Sequence, residues 1–278
     1  MRTIPADVEN MIHEFETRKG DVAFTEIERK SVADELRKRI EKPSKIDQGQ
    51  SSLCGPAVFI YCLAKKKPKV YARYIIDLYE KGEATIGRLK VKPGHDCKNY
   101  KLPIDSEMVG VDWIALAGLR DSENAFLDYD EYNDQVAGIT LPSSVSKWFA
   151  HGDFSAIRNN TNLVFDKGVS ALLKVNQLYM SGACVCLFIG ANGIRNWSGG
   201  KAPADHWVVL ESSISIDGKP VSRMLAQGQK KNGNNLLSKK IEFSVFTWAN
   251  SSFRVNKYDP NLTVEKFLDY FYGYVAAQ

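Results

Sequence analysis

Cys54 sits where a polar, glycine-containing loop meets an apolar run: Asp47-Gln48-Gly49-Gln50-Ser51-Ser52-Leu53-Cys54-Gly55-Pro56-Ala57-Val58-Phe59-Ile60-Tyr61-Cys62. A sulfur so placed suits nucleophilic attack on a carbonyl. Pro56 fits the first turn of a helix, where its missing N–H leaves nothing unpaired. Gly55 lets the backbone turn tightly and keeps bulk away from the sulfur. Cys54 is therefore expected at the N-terminus of a buried central helix, where the macrodipole and free N–H groups favour thiolate over thiol. Gln48, on the same loop, offers a side-chain amide that would join the Cys54 backbone N–H in a two-donor oxyanion hole. A cysteine opening a core helix is by itself more often an inert buried thiol. Its neighbours and a downstream histidine change that balance.

Of His13, His95, His151 and His206, only His206 stands at the mouth of an apolar strand, Asp205-His206-Trp207-Val208-Val209-Leu210-Glu211. Paired with Cys54 it is the natural general base. A third group should hold its tautomer. Setting Ile241 opposite Ile214 in an antiparallel pair puts position 249 opposite His206, which brings Trp248-Ala249-Asn250 beside the imidazole. Asn250 is the expected orienting residue. Gln227 and Glu242 stay open if the hairpin at Asp217-Gly218 joins the main sheet, and Asp217 itself lies far along a straight strand. Asp205 would point away. Neither a cofactor nor a metal is expected. Gly94-His95-Asp96-Cys97 has no second ligand pair for zinc. In the acidic stretch Asp128 to Asp134, Asn133 replaces the glycine that a calcium loop needs, and Ile139 falls where its glutamate would be. Gly190-Ala191-Asn192-Gly193 lacks the Lys-Ser/Thr of a phosphate loop.

The elements that must carry these residues follow from periodicity. Helices are expected near 6–18, 27–41, 54–65, 68–81, 110–120, 142–150 and 166–181, with an irregular loop over 83–108. Strands are expected over 183–190, 205–211 and 241–250, with a hairpin at 214–221 and a closing aromatic helix at 262–276. The expected fold class is α+β. Residues 1–42 read as a helical N-terminal extension or cap. Residues 43–278 read as one domain, with a helical half (43–181), a mainly antiparallel β half (182–261) and the closing helix.

The 278 residues are 44% hydrophobic and 25% charged, enough apolar material for a full core. A net charge of +4 is too mild to argue for nucleic acid. No run approaches the roughly 18 apolar residues of a membrane span, and the start, MRTIPADVENMIHEFETRKG, has no apolar signal-peptide core. Cys54, Cys62, Cys97, Cys184 and Cys186 are odd in number and irregularly spaced, which reads as a reduced, cytoplasmic set with a thiol free to react. The basic stretch around Lys230, Lys231, Lys239 and Lys240 would either steer an acidic target surface or simply face solvent.

With Gln48…Cys54-Gly55-Pro56-Ala57, then Asp205-His206-Trp207-Val208-Val209-Leu210, then Phe246-Thr247-Trp248-Ala249-Asn250, the chain resembles the papain-like cysteine hydrolases. It is most similar in character to bacteriocin-processing peptidases and to papain-fold domains of bacterial toxins and type VI secretion effectors. The resemblance implies oxyanion Gln48, nucleophile Cys54, base His206 and, third, Asn250. Papain-type enzymes place that Asn just before Ser-Trp-Gly, whereas here Thr247-Trp248-Ala249 precedes it. The resemblance implies a protein substrate attacked at an amide (protease or Gln/Asn deamidase), an immunity or chaperone protein as partner, and export into a target cell's cytosol. The other open readings are an acyltransferase or transglutaminase using the same pair, and a non-catalytic binding module on this scaffold.

Overall fold

The computed structural model describes residues 2–123, 140–161, 168–195, 204–222 and 234–278. The acidic stretch at 128–134, Gln227, Lys230 and Lys231 lie outside them. The chain is mixed α+β with antiparallel sheets. It divides into two compact units, Met1–Leu141 with Lys147–Asp153, and Pro142–Ser146 with Phe154–Gln278. The expected break at 181/182 is thus moved, because the helix Val169–Met180 packs on the sheet of the second unit through Ala171, Leu172 and Val175.

The first unit is built on α1 (Ala6–Thr17), α2 (Arg29–Glu41), α3 (Cys54–Lys66) and α4 (Pro68–Lys81). Every residue of α3 from Cys54 to Ala64 is buried, as its unbroken apolar run requires. Phe59 meets Phe149 edge-to-face at 5.2 Å. The first 42 residues belong to this same core: Ile12, Phe15, Val32, Leu36 and Ile40 are fully buried. Arg2 ties them in further, donating from its guanidinium to the carbonyls of Ile40 near the end of α2 and of Ala64 and Lys65 near the end of α3. A cation there meets carbonyls that have no partner within their own helix.

A second tie is ionic. Arg39 of α2 donates from Nε and Nη2 to both carboxylate oxygens of Asp112, at 2.8 and 2.7 Å, and Asp112 is fully buried. Asp112 ends the segment Gly110–Asp112, which continues as a π-helical turn, Trp113–Ala117, and then as Gly118–Glu123. Tyr74 of α4 donates its hydroxyl to the Ala115 carbonyl inside that wide turn. The stretch 83–108, expected to be irregular, contains a small hairpin, β1 (Ala84–Ile86) with β2 (Leu89–Val91), and a short helix, His95–Asn99.

Gly55 has a tertiary reason as well as a local one. A Cβ there would stand 2.2 Å from the Thr140 side chain. Gly55→Ala is expected to destabilise by about 1–3 kcal/mol through overpacking, read as a lowered urea midpoint with unchanged m-value.

The second unit holds a six-stranded antiparallel sheet in the order β10-β9-β5-β4-β11-β3. Its strands are β3 (Arg158–Asn159), β4 (Cys184–Ile189), β5 (His206–Leu210), β9 (Ser244–Thr247), β10 (Asn250–Arg254) and β11 (Phe271–Ala277). A smaller sheet pairs β6 (Ser215–Ile216) with β7 (Lys219–Pro220) and β8 (Ile241–Glu242). Val185, Leu187 and Ile189 of β4 face one core with Val208 and Leu210 of β5.

Two expectations are corrected here. The closing segment is not one helix: Val264–Asp269 is a short helix and Phe271–Ala277 is an inner strand between β4 and β3. Gly273 marks the change, with φ 115 at a register shift in β11, where a Cβ would lie 2.1 Å from the Asn160 carbonyl. The expected strand over 241–250 is also broken twice. Phe243 leaves the line between β8 and β9 to pack edge-to-face on Phe267 at 5.1 Å, and the chain reverses at Trp248-Ala249.

Candidate active site

In the first unit, Cys54 is the first residue of α3, as its sequence context predicts. The loop before it is folded tightly on itself. Asp47 accepts the Gly49 N–H through Oδ1 at 2.9 Å. The Gln48 carbonyl accepts from the Ser51 N–H at 3.2 Å and from the Ser51 hydroxyl at 2.6 Å. The Gln48 side chain is buried, and its Nε2 donates to the Ser51 carbonyl at 2.9 Å. One amide hydrogen of Gln48 is thereby committed to holding the side chain, and the second is left for another acceptor. The loop is anchored from behind, where the Asp47 N–H donates to Asp112 Oδ2 at 3.1 Å. Burial pushes the Asp112 carboxyl above the usual carboxylate range, against the pull of Arg39. Burial opposes the Arg39 charge too, yet Asp112 raises the guanidinium above its ordinary value. A buried ionic pair thus supports the segment carrying Gln48 and Cys54. Nothing in the local spacing of Arg39, Asp47 and Asp112 signals that.

In the second unit, His206 opens β5 opposite Ile189 and is buried. Its Nε2 lies 2.8 Å from Thr247 Oγ1. With the proton on Nε2 the ring donates to that hydroxyl, which leaves Nδ1 as the basic nitrogen. The Trp248 indole stacks on the imidazole at 4.7 Å and 12°. The Arg195 guanidinium lies over the same indole, 4.2 Å from its centre. Burial, helped by the nearby Arg195 charge, lowers the His206 pKa to about 3, so the ring is neutral at physiological pH.

Asn250 does not orient this histidine. The sheet register is the expected one: Val209 faces Phe246 and Leu210 faces Val245, the alignment that brings position 249 level with His206. The strand, however, ends before it gets there. Trp248 and Ala249 take φ 43 and 53 in a two-residue turn that pairs Thr247 with Asn250. Asn250 therefore begins the edge strand β10, is exposed, and uses its Oδ1 to accept the Ser252 N–H. Left-handed φ at both central positions normally calls for Asn-Gly, so no turn signal was present. Each such residue costs roughly 1–3 kcal/mol, a strain that tends to be kept where function needs it. The other candidates lie elsewhere in this unit. Asp217, in the β6–β7 turn, accepts the Lys240 N–H and pairs with Lys239, and Glu242 of β8 accepts from Asn256. Among the described residues no group of three His, Cys, Asp or Glu side chains could hold a metal, and no helix is long and apolar enough to cross a membrane.

Thr247→Val keeps the shape but removes the partner of a buried ring nitrogen, and is expected to cost about 1–3 kcal/mol. Denaturant unfolding gives the cost, and ring-nitrogen chemical shifts report the change in the tautomer balance. His206 also sets an acid limit. Its pKa is about 3 in the fold against about 6.5 in the unfolded chain, so between those values the unfolded chain binds more protons. Its contribution is complete above about pH 6.5 and is lost as pH falls towards 3.

The chain matches no protein-family model, no curated protein and no solved structure.

Proposed function

We propose that this protein is a papain-like cysteine hydrolase acting on protein amide bonds, with Cys54 as nucleophile and His206 as base. The observation that carries the reading is the placement of His206 at the start of β5 with its Nε2 2.8 Å from Thr247 Oγ1; with the proton on Nε2, Nδ1 is the nitrogen left for proton transfer. It is supported by Cys54 at the start of a buried helix, behind a loop that holds the Gln48 amide in place. In this reading His206 Nδ1 takes the Cys54 thiol proton as the sulfur attacks the amide carbonyl. The oxyanion is stabilised by the Cys54 N–H and by Gln48 Nε2. The C–N bond breaks as the proton passes to the departing nitrogen, an amine in cleavage or ammonia in deamidation. Water, deprotonated by the same imidazole, then hydrolyses the thioester. Thr247 takes the orienting role that papain-type enzymes give to Asn.

The resemblance to bacterial toxin and effector domains supports a target protein in another cell's cytosol, and an immunity or chaperone partner in the producer. The test is to express wild type, Cys54→Ala and His206→Ala in bacterial and eukaryotic cytosol and follow growth and intact target masses. Cleavage yields two fragments, deamidation a small mass shift, and acyl transfer a larger adduct. Toxicity that persists in Cys54→Ala would defeat the catalytic reading and favour a binding module.

Gln48→Ala is expected to lower turnover by roughly a hundredfold, the effect of removing one oxyanion donor, with the fold retained by circular dichroism. A loss in Gln50→Ala without one in Gln48→Ala would reassign the donor.

A further inference from the structure

We propose that the second unit carries a binding site for a small zwitterion of the α-amino-acid class, in a cavity between β6, β8, β9 and β10. The cavity holds about 150 Å³, room for about six non-hydrogen atoms, the size of benzene. It opens past the far end of β5 from His206, so it stands apart from the imidazole and does not depend on the catalytic reading. One guanidinium and one carboxylate line it, Arg254 and Glu242. Both residues are exposed, and neither forms an ion pair with the other or with any other described residue. Opposite charges at one cavity that do not close on each other suit a ligand that carries both signs.

The polar groups divide in the same way. Arg254 stands opposite Ser244 across the β9–β10 ladder, so a guanidinium fork and a hydroxyl share one face. The Ser244 and Ser213 hydroxyls bond no described residue. Those of Ser212 and Ser215 are committed to the frame: Ser212 accepts the Ser244 N–H at 2.8 Å, and Ser215 donates to the Glu242 carbonyl at 3.2 Å. Arg254 with Ser244 fits a carboxylate. The acceptors gather around Glu242. Asn256 Nδ2 donates to Glu242 Oε1 at 3.3 Å, which leaves Oε2 open. Asn256 Oδ1 is buried and has no partner among the described residues. A buried acceptor left unpaired is costly, and an ammonium brings three donors, enough for it and for the carboxylate.

L-alanine is the probe, added to the full chain and followed by backbone amide NMR, with acetate and methylammonium as its two charged halves. Saturable shifts at Ser213, Glu242, Ser244 and Arg254 are expected at millimolar alanine. Each half should bind about tenfold more weakly or worse, since it supplies one charge-assisted contact in place of two. Arg254→Gln and Glu242→Gln should each weaken alanine about tenfold. Arg254→Gln should leave methylammonium binding unchanged, and Glu242→Gln should leave acetate binding unchanged. Unaltered β4 and β5 signals in each variant show that the fold is kept. Acetate that binds as tightly as alanine would reduce the cavity to an anion site and overturn the proposal. So would saturation that neither substitution weakens, or alanine shifts that never saturate.

Discussion

Cys54→Ala is expected to abolish the one fast alkylation of the native protein together with all amide-directed activity. The five cysteines divide by accessibility: Cys62, Cys97 and Cys186 are fully buried, while Cys54 and Cys184 each keep 5%. Cys184 is therefore the internal control. It has the same slight exposure but is the first residue of a strand, after the C-terminal end of the helix Val169–Met180 and not at a helix N-terminus. Iodoacetamide near neutral pH, quantified cysteine by cysteine, should label Cys54 well ahead of Cys184. His206→Ala should slow the Cys54 reaction by roughly a hundredfold or more, the scale of a positioned general base. Equal labelling of Cys54 and Cys184 would show that exposure alone governs the reaction, and the nucleophile would have to be sought elsewhere.

The largest stability loss is expected from Asp112→Ala. It leaves the Arg39 guanidinium buried with Glu35 as its remaining acidic partner among the described residues and strands the Asp47 N–H behind the Gln48 loop. Removing one partner of a buried ion pair costs about 3–5 kcal/mol, a large share of the roughly 5–15 kcal/mol that holds a typical domain together. Arg39→Ala should cost a similar amount, and the double variant clearly less than the sum, because each single change strands the other's charge. Removal of an exposed partner in the Asp77–Lys81 pair of α4, as in Lys81→Ala, should shift stability by no more than about 0.5 kcal/mol. Urea unfolding followed by tryptophan fluorescence measures all four. A loss below about 1 kcal/mol in Asp112→Ala would mean that the pair is replaceable by water and does not anchor the loop.

Local order along the chain was sufficient for much of this protein. A polar loop, a cysteine, Gly-Pro and an unbroken apolar run specify α3 and its first residue, because helix entry depends on neighbours within one turn. The run at 184–189 and the block at 206–210 specify two inner strands by their continuous apolar character. The register that sets position 249 level with His206 follows from matching apolar positions on two such strands. Tertiary structure decided the rest, for reasons that no local pattern carries. Trp248 and Ala249 accept a left-handed turn because the indole gains a stack on His206 and a guanidinium over it, so Thr247 meets the imidazole and Asn250 is carried to the sheet edge. Phe271–Ala277 has enough aromatic amphipathicity to read as a helix. It becomes a strand because β4 offers a free edge to pair with and Gly273 relieves the crowding at Asn160. Arg39 and Asp112, 73 residues apart, find each other only in the folded chain, since burial of one charge is tolerable only where the fold delivers its partner.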